Sequence, residues 1–111
     1  MPRSKEENSD LYKVVQSFGL LQAALDGNDR AQEGVWRTST EEHMFYFNWE
    51  AREPSNNWGK EHYLYYSNKR TGTWNDVTKD EVGNVVCQIG NIYFRMKLKG
   101  FANEYLRNFT P

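Results

Sequence analysis

Side chains that carry oxygen ligands concentrate in one central loop of the sequence. The loop holds Glu53, Ser55 and Glu61, and a proline and a glycine mark it as irregular. Asn75 and Asp76 follow in a second polar segment, after an intervening aromatic run. Carboxylate, amide and hydroxyl oxygens are the ligands of a hard cation such as Ca²⁺, which takes about six to eight of them. The spacing alone is equally compatible with a polar surface turn, so both interpretations stay open.

The composition describes one folded domain. The chain has 111 residues, of which 38% are hydrophobic and 15% aromatic, a content typical of a folded rather than a disordered protein. The net charge of -1 provides no electrostatic attraction to nucleic acid or to an anionic membrane. No apolar run approaches the length of a membrane span, and the N-terminal residues do not resemble a signal peptide. We therefore expect neither nucleic acid nor membrane insertion.

A single cysteine, Cys87, excludes an internal disulfide framework and a zinc site built on cysteines. It lies in an apolar run that is typical of a core strand. We therefore expect a reduced, largely buried thiol.

The elements that must position the oxygen-rich loop begin with a helix. Ser4 and Glu7 have the spacing of a capping box at its start. The apolar residues that recur on one helical face are Leu11, Val14, Val15 and Phe18. The pattern predicts a helix over residues 4–18 that packs on the core.

Short apolar or aromatic runs separated by turn signals predict the strands of a small sheet. The predicted strands cover residues 20–25, 44–49, 63–66, 73–77 and 85–89. The aromatic run at 44–49 is alternatively the rim of a ligand groove, although a buried strand is favoured. Residues 26–29 are typical of a turn, and an alternating run at 93–99 is typical of an edge strand. The spacing favours an antiparallel sheet with long loops, the longest of which runs from about residue 50 to 62.

Taken together, these motifs resemble the C-type lectin domain. The sugar-binding site of that family reads Glu-Pro-Asn, then a Glu, then Trp-Asn-Asp. The counterparts here are Glu53-Pro54-Ser55, Glu61 and Trp74-Asn75-Asp76. Glu33-Gly34-Val35-Trp36 is similar to the family's Glu-Gly-x-Trp.

The resemblance covers residues 3 to about 89 and implies an α+β fold. The implied fold is partial: one helix packed on a small antiparallel sheet, with a long irregular loop. The lectin-like domain would occupy residues 1–90, followed by a C-terminal extension, 91–111, of unknown role. The family's first strand and first helix have no counterpart in the sequence.

The resemblance also implies a carbohydrate-binding module that depends on calcium, with carbohydrate or a glycoprotein as partner and an extracellular or secreted location. The residues implied to bind both Ca²⁺ and sugar hydroxyls are Glu53, Ser55, Glu61, Asn75 and Asp76. Trp58 would offer an apolar face to the sugar ring, although a packing role for it is equally compatible with the sequence. The Glu53–Pro54 peptide would be cis. We expect the four residues other than Ser55 to converge in space even when no ion is bound.

Three departures from the family pattern support an alternative. Ser55 replaces the family's Asn with a shorter side chain, and Cys87 has no partner for the usual disulfide. Tyr63 and Lys79 stand where the second disulfide would lie. The alternative is a calcium-independent lectin-like domain for protein interaction or structure.

An enzyme is the least supported interpretation. His43 and His62 lie in different segments, and neither has a nucleophile or acid at catalytic spacing. Either histidine is better explained as solvated or packed. Glu53 and Glu61 would permit glycoside hydrolysis in principle, but the resemblance points to binding without cleavage.

Overall fold

In the part of the chain that the structure describes, the regular structure consists of one α-helix, a short 3-10 helix and a five-stranded sheet. The computed structural model describes residues 1–20, 22–79, 83–89 and 92–98, with side chains for all of these except 83, 87–89 and 92–98. The helix α1 is Lys5–Ser17, and the strands are β1 (Ala24–Asn28), β2 (Glu61–Tyr66), β3 (Trp74–Thr78), β4 (Gly83–Ile89) and β5 (Ile92–Leu98). A short 3-10 helix, Asn57–Gly59, lies in the long loop. The α+β class is therefore confirmed.

The helix begins at the predicted cap. The Ser4 hydroxyl accepts a hydrogen bond of 3.1 Å from the Glu7 N–H, which satisfies one donor that the first turn leaves without a helical partner. The Glu7 carboxylate accepts a 2.8 Å bond from the N–H of Arg3, not of Ser4. The reciprocal half of the capping box is thus displaced by one residue.

The buried face of α1 differs from the predicted apolar stripe. Its buried residues are Asn8, Tyr12 and Val15. Asn8 is buried because its side chain accepts hydrogen bonds from the Tyr66 hydroxyl at 2.9 Å and the Trp74 indole at 3.0 Å. A buried polar group costs little when it is paired in this way, so hydrogen-bond partners on the sheet decide which face packs.

The sheet is mixed, where the sequence predicts a wholly antiparallel one. The strand order is β3-β2-β1-β4-β5, and every pair is antiparallel except β1 with β4. A parallel pair needs a long crossover, and the segment between these two strands is long enough to supply it. β5 pairs with β4 at one edge, as the alternating run predicts.

Two local predictions are wrong for identifiable reasons. The first strand covers Ala24–Asn28, so the predicted turn largely belongs to it. A Cβ at Gly27 would lie 2.5 Å from the Cδ1 of Leu64, which shows that the glycine serves close strand packing rather than a turn. Residues 44–49 form no strand; Tyr46 packs on Trp74, at 5.7 Å between ring centroids, without joining a ladder.

Strand β2 is buried on both faces and supports the oxygen-rich loop. Leu64 and Tyr66 lie in the core beneath α1, whereas Tyr63 and Tyr65 belong to a second apolar cluster. Successive side chains of a strand point to opposite faces, so β2 is the central layer between the two clusters. Cys87 pairs with Phe94 in the β4–β5 ladder, and the burial of its side chain lies outside the described residues.

Candidate functional site

The carboxylate of Asp76 lies beneath the long loop. Asp76 is on β3 and is 1% exposed. Its Oδ1 accepts a 2.9 Å hydrogen bond from the N–H of Ser55, and its Oδ2 accepts a 2.7 Å bond from the N–H of Asn56. Two backbone N–H groups of the loop therefore donate hydrogen bonds to the carboxylate and partly compensate its negative charge.

Ser55 connects this carboxylate to that of Glu61, at the start of β2. The Ser55 hydroxyl donates to Oε1 of Glu61 at 2.7 Å and lies 3.3 Å from Oδ1 of Asp76. The N–H of Asn57 donates to the same Glu61 oxygen at 2.9 Å. The two carboxylates thus approach one point, and a single hydroxyl lies between them.

Glu53 is the third carboxylate of this group. Its Oε1 accepts a 3.2 Å hydrogen bond from the N–H of Ser55, and the Glu53–Pro54 peptide bond is cis, as the resemblance implies. Burial, together with hydrogen bonding and charge repulsion from Asp76, raises the pKa of Glu53 to about 7. Near neutral pH Glu53 is therefore only partly ionised, and a bound cation would compete with its proton.

Asn75 directly precedes Asp76 on β3. Its Oδ1 is buried and has no hydrogen-bond partner within the described part of the chain. Hydrogen bonds join Glu53, Ser55, Glu61 and Asp76 to one another, whereas the convergence of the Asn75 side chain with them stays a prediction. A buried carbonyl oxygen without a partner is uncommon, and a cation or a ligand donor would satisfy it. A donor set made only of oxygens suits Ca²⁺.

Trp58 projects from the tip of the loop. Its side chain belongs to the 3-10 helix and is 94% exposed. Its backbone φ of 59° lies in the left-handed region, which a bulky residue rarely adopts. The ring packs on no core cluster, so it is available to a ligand.

A second group of polar side chains, formed by Asp29, Glu33 and His62, was missed at the sequence level. His62 Nδ1 lies 2.9 Å from Oδ1 of Asp29 and 3.3 Å from Oε2 of Glu33. Burial and the neighbouring Asp29 charge raise the pKa of Glu33. The only signal in the sequence is that Asp29 and Glu33 are spaced four apart, and nothing there connects them to His62.

Comparisons with known proteins agree with this architecture. No family model matches the chain. Pulmonary surfactant-associated protein D of Bos taurus is 33% identical over 88 residues, covering 78% of this chain. The carbohydrate-recognition domain of the mouse scavenger receptor C-type lectin superposes with a TM-score of 0.63 at 28% identity, covering 73% of this chain. This chain carries a C-type lectin-like domain.

Further relatives of the C-type lectin-like domain include the human scavenger receptor C-type lectin domain, with a TM-score of 0.59 at 25% identity. The lectin CEL-I from Cucumaria echinata has a TM-score of 0.64 at 20% identity and supports the fold alone. The chain spans 23% of the surfactant protein and 60% of the mouse lectin chain. These relatives are lectins and a surfactant protein, not enzymes, as expected. Within the described residues, no helix has the length and apolar character of a membrane span.

Proposed function

We propose that this C-type lectin-like domain binds carbohydrate in a Ca²⁺-dependent manner. The proposed ligands of both the ion and the sugar hydroxyls are Glu53, Ser55, Glu61, Asn75 and Asp76, with Trp58 against the sugar ring. The observation that carries the proposal is the convergence of three carboxylates on the Ser55 hydroxyl and backbone.

The three carboxylates need positive charge around them. Burial, followed by the hydrogen bond and the charge repulsion from Asp76, raises the pKa of Glu53 to about 7. A divalent cation would stabilise all three in the ionised form, and the unpaired Oδ1 of Asn75 would add a neutral ligand. When bound, Ca²⁺ supplies coordination positions for two neighbouring sugar hydroxyls.

Calcium affinity is expected to be weak. The N–H groups of Ser55, Asn56 and Asn57 already donate to the carboxylates, so an ion competes with them for the same oxygens. The Ser55 hydroxyl is also shorter than the amide that the family pattern has at this position. We expect a dissociation constant at or above roughly 0.1–1 mM, the range of extracellular calcium modules.

Carbohydrate is the favoured ligand class for two reasons. Two of the structural relatives are described as carbohydrate-recognition domains of C-type lectins. The site also combines hydrogen-bonding carboxylates with the exposed ring of Trp58, and sugar rings have both hydroxyls and apolar C–H faces. The corresponding partners are free carbohydrates or glycoproteins outside the cell, where Ca²⁺ is abundant.

A calcium-independent lectin-like domain for protein interaction or structure is the second candidate. The hydrogen bonds that the loop donates to Asp76 and Glu61 favour it, because they partly replace a cation. In that case the loop would keep its conformation in the absence of Ca²⁺.

Isothermal titration calorimetry with Ca²⁺, followed by mannose or galactose, tests the proposal. We expect a sugar-binding heat only when Ca²⁺ is present, and none in the Asp76→Asn variant. Asp10→Asn is the matched control, because Asp10 is an exposed residue on α1. Failure of both sugars to bind in saturating Ca²⁺ would contradict carbohydrate binding by this site, and equal binding in a chelator would contradict the role of calcium.

A further inference from the structure

A cavity of about 250 Å³ lies on a part of the molecule away from the long loop, lined by residues 1–3, by β1 and by the irregular segment 38–46. Its lining side chains include Arg3, Asp26, Glu42, Met44, Phe45 and Tyr46. Pockets for drug-sized ligands have about 300–1,000 Å³, whereas one ordered water needs only about 10–15 Å³. The cavity therefore has room for a small organic molecule. None of its lining residues belongs to the proposed calcium site.

The carboxylate of Asp26 is held in one orientation at this cavity. The N–H of Ser39 donates to its Oδ1 at 3.1 Å, and the Ser39 hydroxyl donates to its Oδ2 at 3.0 Å. Both donors are neutral, and among the residues that the structure describes no cationic side chain forms an ion pair with this half-buried carboxylate. A partly buried anion without a counter-ion favours a cationic ligand, because part of its hydration has been lost.

Apolar and aromatic side chains form another part of the lining. The ring of Phe45 is 75% exposed, although it borders the cavity. Tyr46 is half-buried and packs edge-on against Trp74, at 5.7 Å between ring centroids, so its position is fixed. Met44 adds a thioether that packs on the core. Aromatic faces attract ammonium ions, and apolar side chains of this kind cover an alkyl chain.

The side-chain charges select a cation over an anion. Asp26 and Glu42 contribute two negative charges to the lining, and Arg3 contributes one positive charge. Arg3 lies 4.0 Å from Glu42, and both side chains are mostly exposed, so this weak pair cancels its own charge at the rim. Asp26 therefore decides the sign. A metal ion is disfavoured, because within the described ranges neither acid joins His43 in a group of three possible ligands.

The wall of the cavity is formed before a ligand binds. The turn at 38–42 is closed by the N–H of Thr38, which donates to the backbone oxygen of Glu42 at 2.9 Å. The N–H of Glu42 donates in return to the Thr38 hydroxyl at 3.3 Å. The same turn carries Ser39, which orients Asp26. A preformed wall loses little conformational freedom on binding, which favours the affinity of a small ligand.

We propose that this cavity binds a primary ammonium group at the end of an unbranched alkyl chain, as in a lysine side chain or a free alkylamine. The ammonium donates to Asp26, and the alkyl chain lies against Met44, Phe45 and Tyr46. An ammonium suits this carboxylate better than a guanidinium. Ser39 already occupies both oxygens, which leaves no free edge for a planar two-bond pairing, whereas a compact ammonium needs only one remaining lone pair.

Nuclear magnetic resonance titration of the ¹⁵N-labelled chain with n-pentylamine and with Nα-acetyl-lysine methylamide tests the proposal. We expect n-pentylamine to shift the amide resonances of Asp26, Ser39 and Phe45 in a saturable manner. Binding of the lysine derivative as well would identify a lysine side chain as the ligand, and binding of n-pentylamine alone would identify a free amine. The controls without an ammonium are n-pentanol and Nα-acetyl-norleucine methylamide, which should bind about tenfold more weakly or not at all.

Asp26→Asn should weaken n-pentylamine binding about tenfold or more, because the charged acceptor is lost. Asp10→Asn, on the exposed face of α1, is the matched control and should leave the binding unchanged. If Asp26→Asn fails to fold by circular dichroism, Phe45→Asn replaces it, because this exposed ring can be removed without opening the core. A loss of about two- to fivefold is then expected.

The affinity for n-pentylamine should be the same in Ca²⁺ and in a chelator, so this site and the calcium proposal fail separately. The proposal is overturned if neither amine binds, or if the neutral analogues bind as tightly as the amines. It is also overturned if folded Asp26→Asn retains the wild-type affinity, or if the shifted resonances surround Glu53 and Asp76 instead of the cavity.

Discussion

The N–H of Asn56 donates a 2.7 Å hydrogen bond to Oδ2 of the buried Asp76, and this contact connects the tip of the long loop to β3. The adjacent N–H of Ser55 donates to Oδ1 of the same carboxylate. Hydrogen bonds to an ionised acceptor are stronger than neutral ones. Asp76, which is proposed to bind Ca²⁺ and sugar, therefore also supports the loop that carries Glu53 and Ser55. Folding and binding are thus coupled at Asp76.

Replacing Asp76 with alanine should cost both stability and binding. The substitution leaves the N–H of Asn56 without its acceptor and removes the shorter of the two hydrogen bonds that the N–H of Ser55 donates, which we expect to lower the free energy of unfolding by about 1–3 kcal/mol. Urea denaturation measures this loss, and calorimetry measures the expected absence of Ca²⁺-dependent sugar binding. Asp10→Ala, on the exposed face of α1, should change neither quantity. An unchanged urea midpoint in Asp76→Ala would show that the loop does not depend on this carboxylate.

Replacing Ser55 with asparagine should strengthen calcium binding. The longer amide places a second neutral oxygen among Glu53, Glu61 and Asp76, and it removes the hydroxyl that donates to Glu61 at 2.7 Å. We expect Ca²⁺ affinity to rise severalfold in calorimetric titrations. Ser55→Ala, which removes the hydroxyl but adds no ligand, separates the two effects. Equal affinities in wild type and Ser55→Asn would argue that position 55 does not contact the ion.

Calcium binding should weaken as the pH falls through about 7. The pKa of Glu53 is raised to about 7 by burial and by Asp76, so below this pH a proton competes with the ion for the carboxylate. The stability of the calcium-free domain should depend on pH in the opposite direction. Because the folded pKa lies above the usual value of 4.5, this group makes the fold less stable as the pH rises from about 4.5 to about 7.

Titrations of Ca²⁺ and urea unfolding curves between pH 5 and pH 8, compared with those of Glu53→Gln, measure both effects. The glutamine variant cannot ionise, so its stability and its residual affinity should vary less over this range. A wild-type affinity that is independent of pH between 5 and 8 would mean that Glu53 is not a ligand.

The elements that depend on local chemistry could be predicted from the sequence. The cap at Ser4 begins the helix within one residue of the predicted position, since its hydrogen bond to Glu7 needs only neighbouring residues. The same holds for β2, where consecutive aromatic residues near Tyr63 are buried on both faces. The motif around Glu53 and Asp76 was identified from residue types, and the structure brings these side chains together.

Features that depend on distant partners could not be predicted. The buried face of α1 follows from the hydrogen bonds of Asn8 to Tyr66 and Trp74, which no helical periodicity contains. The aromatic run at 44–49 has the composition of a strand, but only some of its side chains, among them Tyr46 and Trp49, pack against the core, and its backbone stays irregular. The contact of His62 with Asp29 arises only after β1 and β2 have paired.

Substitution of Trp58 distinguishes most clearly between a ligand-binding role and a structural role. Its side chain is 94% exposed and its φ is 59°, so it contributes little burial while its backbone conformation costs about 1 kcal/mol or more. Asparagine adopts positive φ more readily. We therefore expect Trp58→Asn to leave the free energy of unfolding unchanged or to raise it by up to about 1 kcal/mol.

The same substitution should weaken sugar binding about three- to tenfold, because an aromatic contact contributes about 0.5–1.5 kcal/mol beyond the area it buries. Phe45→Asn is the matched control, since Phe45 is a 75% exposed aromatic outside the loop. Calcium titrations should be unaffected in both variants, because neither side chain supplies an oxygen ligand in the wild type. Should Trp58→Asn instead lower stability and leave sugar affinity intact, the ring would have a packing role. In that case the site would bind sugar through its oxygen ligands alone.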